Sequence, residues 1–227
     1  METRFYKEVE IPVNKIILKG ELIIPSEAKA IVIFSHGSGS SRFSKRNQLV
    51  ANYLREKGFG TLLFDLLTEQ EDQNYNNRFN IDLLAERLIS VTLWLNKLAG
   101  LQNFQIGYFG ASTGAASALQ AAAHLDGIGA VVSRGGRPDL AMKHLNEVEA
   151  ATLLIVGSLD TDVLNLNKMA YEELHCEKEL LIVEGATHLF EEQGAMDKVS
   201  GLAGKWFDKH LIAVPGKDLN TPNLQNL

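Results

Sequence analysis

A short motif near the middle of the chain carries the clearest chemical signal. The pentapeptide 110–114 reads G-x-S-x-G with Ser112 at its centre, after the apolar run 104–109 and before the alanine-rich stretch 115–125. A serine on a sharp turn between strand and helix has its hydroxyl lifted clear of the sheet, and flanking glycines let neighbouring backbone pass close. The motif predicts a nucleophile elbow. A helix N-cap is the plainer interpretation of the same serine.

A serine nucleophile needs a base, and His188 is the candidate. A hydroxyl scarcely ionises at neutral pH, so it attacks a carbonyl carbon only when a neighbour accepts its proton. His188 follows the last predicted strand and precedes the final predicted helix. An acid that accepts a hydrogen bond from the imidazole would complete the group. Asp160, Asp162 and Glu184 follow the last two predicted strands, and each is a candidate for it.

A glycine-rich segment after an earlier predicted strand offers backbone donors. Residues 36–40 read His-Gly-Ser-Gly-Ser. We predict that the backbone N–H groups of Ser38 and Thr113 form an oxyanion hole, and that His36 and Gly37 are candidates for contact with substrate. A phosphate-binding loop is excluded, because its pattern requires a lysine that is not present here.

The order along the chain is oxyanion loop, Ser, Asp, His. On these motifs the sequence resembles the α/β-hydrolase superfamily over nearly its whole length, and the dienelactone-hydrolase-like serine esterases are the most similar. The resemblance implies an α/β-hydrolase fold and the triad Ser112, Asp160 and His188, with Asp160 favoured by its family position. The founding dienelactone hydrolases have a cysteine nucleophile. The only cysteine here, Cys176, lies far from the elbow, so dienelactone is not implied as a substrate.

The elements that position these residues follow from hydrophobic patterning. Continuous apolar runs of four to six residues are typical of strands buried on both faces of a parallel sheet. They occur at residues 30–34, 61–64, 104–109, 129–132, 152–156 and 180–183. Helical spacing occurs at residues 46–57, 81–98, 113–125, 164–174 and 196–210. This alternation predicts a mostly parallel doubly wound sheet with helices on both faces. Residues 9–11 and 15–24 predict an antiparallel hairpin at one edge.

The chain length and spacing predict one domain with an open site. We expect a single α/β-hydrolase domain over residues 1–212 and an irregular tail over 213–227. About 19 residues separate the strands 129–132 and 152–156, too few for a large cap domain. The polar segment 66–80 is the other candidate cover. A largely lidless site suits small soluble substrates.

Two arginines after a predicted strand are candidates for substrate binding. Arg134 and Arg137 lie where open α/β sheets place their ligands, and either could pair with a substrate carboxylate. The alternative is a structural arginine that pairs with Asp139 or Asp65.

The composition limits the classes of partner that we expect the protein to bind. The net charge of −6 and the scattered lysines and arginines argue against nucleic acid. One cysteine excludes an internal disulfide, and no leader or long apolar segment is present, so we expect a cytoplasmic protein without membrane contact. Four histidines lie in or beside predicted helices, where surface placement is the simpler interpretation: His124, His144, His175 and His210. With no histidine and acid cluster at metal spacing, we expect no metal and no cofactor.

The residues together predict a serine hydrolase that cleaves carboxylic esters through an acyl-enzyme. Thioesterase, amidase and peptidase activities are alternatives, because the same triad attacks all these bonds. A non-catalytic hydrolase-like binding module is the alternative from another class. The expected partner is a small-molecule ester, and the expected state is a monomer or homodimer.

Overall fold

Eight strands form one sheet in the computed structural model, which describes residues 3–211. The strands are β1 (Thr3–Val13), β2 (Ile16–Pro25), β3 (Ala30–Ser35), β4 (Phe59–Phe64), β5 (Gln105–Ala111), β6 (Ile128–Arg134), β7 (Ala151–Gly157) and β8 (Lys178–Val183). Their order in the sheet is β1-β2-β4-β3-β5-β6-β7-β8. The tail predicted over residues 213–227 lies outside the described residues.

The sheet is parallel except at one edge. Each of the six predicted apolar runs is a strand of the parallel part, and every residue of β3, β4 and β7 is buried. Such strands carry apolar side chains on both faces because helices cover both sides. β1 and β2 pair antiparallel, and β2 pairs antiparallel with β4, which confirms the predicted edge hairpin.

Helices pack on the two faces of the sheet. They are α1 (Lys45–Glu56), α2 (Glu69–Asp72), α3 (Ile81–Lys97), α4 (Thr113–His124), α5 (Thr161–Glu173) and α6 (Ala195–His210). α1 and α6 bury their apolar side chains in one core, whereas α3, α4 and α5 contribute to the other. The alanines of α4 are buried against the sheet, since small side chains allow a close approach.

The strand order reverses at β3, which has β4 on one side and β5 on the other. Open α/β sheets bind ligands in the crevice beyond the carboxyl ends of the strands at such a reversal. The register pairs Ser35 of β3 with Gly110 of β5. The oxyanion loop and the predicted elbow therefore start side by side.

Two connections contain short helices that the hydrophobic pattern did not predict. The β6–β7 connection contains a 3₁₀ helix, Pro138–Glu147, which buries Ala141 and Leu145 and leaves no cap domain. The segment predicted as a polar cover contains α2 and a second 3₁₀ helix, Tyr75–Phe79. Short 3₁₀ turns lack the 3.6-residue periodicity by which helices are recognised in a sequence.

Within the described residues, no helix combines the length and apolar character needed to cross a membrane.

Candidate active site

Ser112 lies on a strained turn between β5 and α4. Its φ of 52° and ψ of −122° are rarely adopted by a residue with a side chain. The turn also brings α4 close to the sheet, because a Cβ built on Gly114 would lie 2.2 Å from the carbonyl oxygen of Ser35. The Ser112 side chain makes no capping hydrogen bond to α4. Ser112 therefore occupies the N-cap position of α4 without the side-chain hydrogen bond by which a capping serine stabilises a helix.

The structure brings together His188 and one of the three candidate acids. His188 Nδ1 lies 2.7 Å from Asp160 Oδ2, and the Asp160 side chain is largely buried. Asp162 is exposed in the first turn of α5, and Glu184 accepts a hydrogen bond from Ser158 Oγ at 3.3 Å. Only Asp160 among the three contacts the imidazole in the part of the chain that the structure describes.

Backbone contacts hold the Asp160 and His188 loops against each other. Leu159 N–H donates to the carbonyl oxygen of Ala186 at 3.0 Å. A Cβ on Gly157 would lie 2.2 Å from that same oxygen, so the approach requires glycine. The glycine at the end of β7 therefore lets the two loops come close enough for the hydrogen bond between Asp160 and His188 to form.

The turn after β6 contacts both the elbow and the histidine loop. Arg137 N–H donates to the Ser112 carbonyl at 3.0 Å, and a Cβ on Gly135 would lie 3.1 Å from the His188 carbonyl oxygen. Across residues 3–211, no hydrogen bond joins the Ser112 hydroxyl to the His188 imidazole. Catalytic hydrogen bonds are often long without substrate and tighten in the complex.

The predicted oxyanion donors lie at the elbow, but one is already engaged. Ser38 N–H donates to Thr113 Oγ1 at 2.9 Å. Gly37 lies against the elbow, since a Cβ there would come 3.1 Å from Ser112 Cβ. An oxyanion receives the Ser38 N–H only by sharing or replacing the Thr113 hydroxyl.

His36 joins two loops and does not present a free nitrogen to substrate. Its Nδ1–H donates to the Gly37 carbonyl at 3.0 Å, and its Nε2 accepts from Leu66 N–H at 3.1 Å. Burial lowers the pKa of His36, against the opposing effects of the Gly37 carbonyl and two nearby carboxylates, so the neutral ring is favoured. The expected substrate contact by His36 is corrected to a structural role.

The two arginines predicted as candidates for substrate binding have other surroundings. Arg137 makes a two-pronged pair with Asp139, with both N–O distances 2.8 Å, so the structural alternative holds for it. Asp65 instead pairs with Arg42.

Arg134 is only 4% exposed, so its guanidinium does not lie on the surface that a substrate would reach. It lies 5.8 Å from the Phe190 ring, and its Nη2 is 3.5 Å from Asn47 Oδ1. Burial, with a smaller contribution from nearby Arg46, lowers its pKa to about 10. The expectation that Arg134 contacts substrate is therefore corrected to a buried position behind the histidine loop.

Sequence reasoning missed a set of exposed apolar side chains, here called the apolar rim, on loops at the carboxyl edge of the sheet. Large apolar side chains stay exposed on the loops that follow β3, β4, β7 and β8: Phe43, Tyr75, Phe79, Leu159 and Leu189. Leu159 and Leu189 adjoin Asp160 and His188 in sequence, a signal that was available. Exposed apolar groups on the edge where open α/β sheets bind ligands are candidates for contact with substrate.

It also missed one group of metal-ligating side chains. His124, His144 and Glu147 each place a ligand atom within 4.8 Å of the others. They lie at the far end of α4 from Ser112. This cluster could not be recognised in the sequence, because its members come from two elements and one of those elements was not predicted.

The sheet, its helices and the elbow define the α/β-hydrolase fold. The model of the dienelactone hydrolase family matches residues 18–203, so the chain belongs to the dienelactone hydrolase family. The crystal structure of a dienelactone hydrolase from Anabaena variabilis is 48% identical, with a TM-score of 0.90, and the match covers 93% of this chain and all of that one. Both the family and this relative are named for a hydrolase.

Two further proteins are similar to this chain, one mainly in fold and the other in sequence. An esterase from Pyrococcus furiosus shares the fold at 19% identity, with a TM-score of 0.75 over 91% of this chain and 92% of its own. A Mycobacterium tuberculosis protein named a putative phosphoribosyl transferase is 51% identical over 211 residues, which are 92% of this chain and 47% of that protein. The chain therefore spans about half the length of the curated relatives it matches.

Proposed function

We propose that this chain is a serine hydrolase that cleaves carboxylic esters of small substrates. The observation that carries the proposal is the 2.7 Å contact between Asp160 and His188, beside a serine in elbow geometry. A structural serine has no need of a strained backbone, and a structural histidine has no need of a largely buried carboxylate. Together they match the roles of nucleophile, base and orienting acid.

The first step forms an acyl-enzyme. Ser112 Oγ attacks the ester carbonyl carbon while His188 Nε2 accepts its proton, and the carbonyl oxygen becomes an oxyanion. The backbone N–H groups of Thr113 and Ser38 stabilise that charge. The tetrahedral intermediate then expels the alkoxide, which takes the proton from His188 and leaves as an alcohol.

The second step releases the acid. Water attacks the acyl-enzyme carbonyl and gives a proton to His188 Nε2, and a second tetrahedral intermediate expels Ser112, which regains its proton. Asp160 keeps the proton of the imidazole on Nδ1, so that Nε2 is free to accept one. Each turnover consumes one ester and one water and restores the enzyme.

The rim suggests the kind of ester. Phe43, Tyr75 and Leu159 are more than half exposed, and the connection between β6 and β7 adds no cap. Apolar groups flanking the ester gain from contact with these side chains. We propose esters of modest size with an apolar or aromatic substituent.

The transferase name of two relatives does not describe the chemistry that we propose for this site. The proteins so named are about twice as long as the match, and the residues described here assemble groups for acyl transfer to water. We propose that phosphoribosyl transfer, where those proteins perform it, depends on the part that this chain does not match.

Steady-state kinetics on matched substrates test the proposal. We expect p-nitrophenyl acetate, butyrate and octanoate to be hydrolysed, with the highest kcat/KM for a short or medium chain, and Ser112→Ala to abolish turnover. An acyl thioester of the same chain length serves as the comparison substrate. A kcat/KM for the thioester well above that for the ester would favour a thioesterase, and no turnover of either would overturn the proposal.

A further inference from the structure

Two histidines and a glutamate meet on the surface far from Ser112. His124 ends α4, and His144 and Glu147 belong to the 3₁₀ helix Pro138–Glu147. Their ligand atoms all lie within 4.8 Å of one another, and the centroids of the two imidazoles are 4.5 Å apart. No step of ester cleavage uses any of them.

The fold fixes the positions of all three. In a 3₁₀ helix, side chains three residues apart lie on the same line, which aligns His144 with Glu147. Ala141 and Leu145 of the same helix are fully buried in the core that α4 shares, so this helix stays against α4. The cluster is thus held by packed backbone rather than by the chance position of flexible side chains.

One nitrogen of the cluster lacks a partner. His144 Nε2 is out of contact with solvent and has no hydrogen-bond partner within the described chain. A buried polar atom without a partner costs free energy, which a ligand at that imidazole would offset.

The surrounding charges admit a cation. Asp82, at the start of α3, accepts a hydrogen bond from Gln120 Nε2 at 2.7 Å and lies 4.0 Å from Lys143 Nζ. Asp82 is an acidic residue in the first turn of α3, and it adds negative charge beside Lys143, the neighbour of His144 in the chain. Lys143 opposes a cation, but its side chain is 69% exposed and free to swing into water.

We propose that His124, His144 and Glu147 bind a Zn²⁺ ion that joins the end of α4 to the 3₁₀ helix. Two imidazoles and a carboxylate are a donor set that zinc prefers and that magnesium and calcium do not. Tetrahedral zinc with bonds of about 2.0–2.1 Å places its ligands roughly 3.3 Å apart, so small side-chain rotations close the observed spacing. Water completes the coordination.

The test measures metal binding on the full chain without reference to activity. Protein stripped of metal with a chelator is dialysed against Zn²⁺, and bound zinc is counted per chain. We expect one equivalent for the wild type, and an affinity at least about 100-fold weaker for His124→Asn combined with His144→Asn. Glu147→Gln should weaken binding by about tenfold. Zinc should raise the Tm of the wild type but not of the double variant.

Two controls separate this cluster from other histidines. His175 is exposed and lies outside the cluster, so His175→Asn should bind zinc as the wild type does. His188→Asn should also retain the equivalent, because it removes only the histidine proposed as the catalytic base. No zinc bound to the wild type, equal binding by the double variant, or loss of binding in His188→Asn would overturn the proposal.

Discussion

At the scale of single residues, the contact between Asp160 and His188 decides which acid serves the base. In the proposed mechanism, the carboxylate accepts Nδ1–H, fixes the tautomer and stabilises the imidazolium that forms during attack. Sequence position alone left Asp162 and Glu184 open, because all three follow the last two parallel strands. Only the arrangement of loops in space separates a pairing acid from an exposed one.

We expect Asp160→Asn to lower kcat by about 10⁴-fold with little change in fold, because an amide favours the wrong imidazole tautomer. Asp162→Asn is the matched control and should stay within about twofold of wild type, since Asp162 is exposed on α5. Kinetics on one ester measure both. Equal losses in the two variants would contradict the assignment of Asp160.

Thr113 has a second task beyond its backbone N–H. Its hydroxyl accepts the Ser38 N–H, which fixes the oxyanion loop beside the elbow. We expect Thr113→Val to lower kcat by at least about tenfold, towards the 10²–10³-fold that loss of one oxyanion donor costs. Thr113→Ser keeps the acceptor and should remain near wild type. A faster Val variant would show instead that the hydroxyl blocks the Ser38 donor.

At the scale of elements, hydrophobic patterning predicted nearly all of the fold. Continuous apolar runs predicted the six parallel strands to within two residues at each end, because burial on both faces excludes most polar residues. The two 3₁₀ helices were missed, and with them the cluster of His144 and Glu147. Their short, polar turns are stabilised by contacts distant in sequence, such as that of Leu145 with the core.

Hydrogen bonds between loops explain why a role in substrate binding was wrongly predicted for some site residues. His36 looked like a substrate contact because it opens a loop at the crevice. Its ring instead holds that loop to the backbone of Leu66, which follows β4. The partner is a main-chain N–H, and no sequence pattern reveals such a partner.

The buried, hydrogen-bonded His36 predicts that the stability of the folded chain depends on pH. Its folded pKa is below the ordinary value of about 6.5, so the unfolded chain takes up a proton first as pH falls. The free energy of unfolding should therefore decrease as pH drops from about 6.5 towards the lower folded pKa. His36→Asn should lose this part of the slope, whereas exposed His175→Asn should keep it. Urea unfolding at several pH values measures the difference, and identical slopes for wild type and His36→Asn would contradict it.

The close approach at Gly157 gives a prediction for the element that carries Asp160. Gly157→Ala places a Cβ against the Ala186 carbonyl and should cost about 1–3 kcal/mol of stability and most of the activity. Gly201→Ala is the matched control, because nothing lies within 4 Å of its Cβ position and alanine favours α6. Thermal unfolding and ester kinetics on both variants test this. A Gly157 variant as stable as wild type would contradict the account.

At the scale of the whole molecule, the sheet reversal at β3 brings three distant parts of the chain to one crevice. The loop after β3, the elbow after β5 and the histidine loop after β8 all leave carboxyl ends of parallel strands. Fold and family follow from this arrangement, while the substrate depends on loops. The apolar rim is the feature of those loops that most narrows the proposed substrate, and only its members Leu159 and Leu189 could be recognised from the sequence.

The central claim is that Ser112 is activated by His188. The most direct test is the intact mass of the protein after reaction with a fluorophosphonate, with Ser112→Ala, His188→Ala and the oxyanion-loop control Ser41→Ala. We predict one adduct on the wild type and on Ser41→Ala, none on Ser112→Ala, and strongly slowed labelling of His188→Ala. An unlabelled wild type, or an adduct that persists in Ser112→Ala, would contradict the assignment of Ser112 as the activated nucleophile.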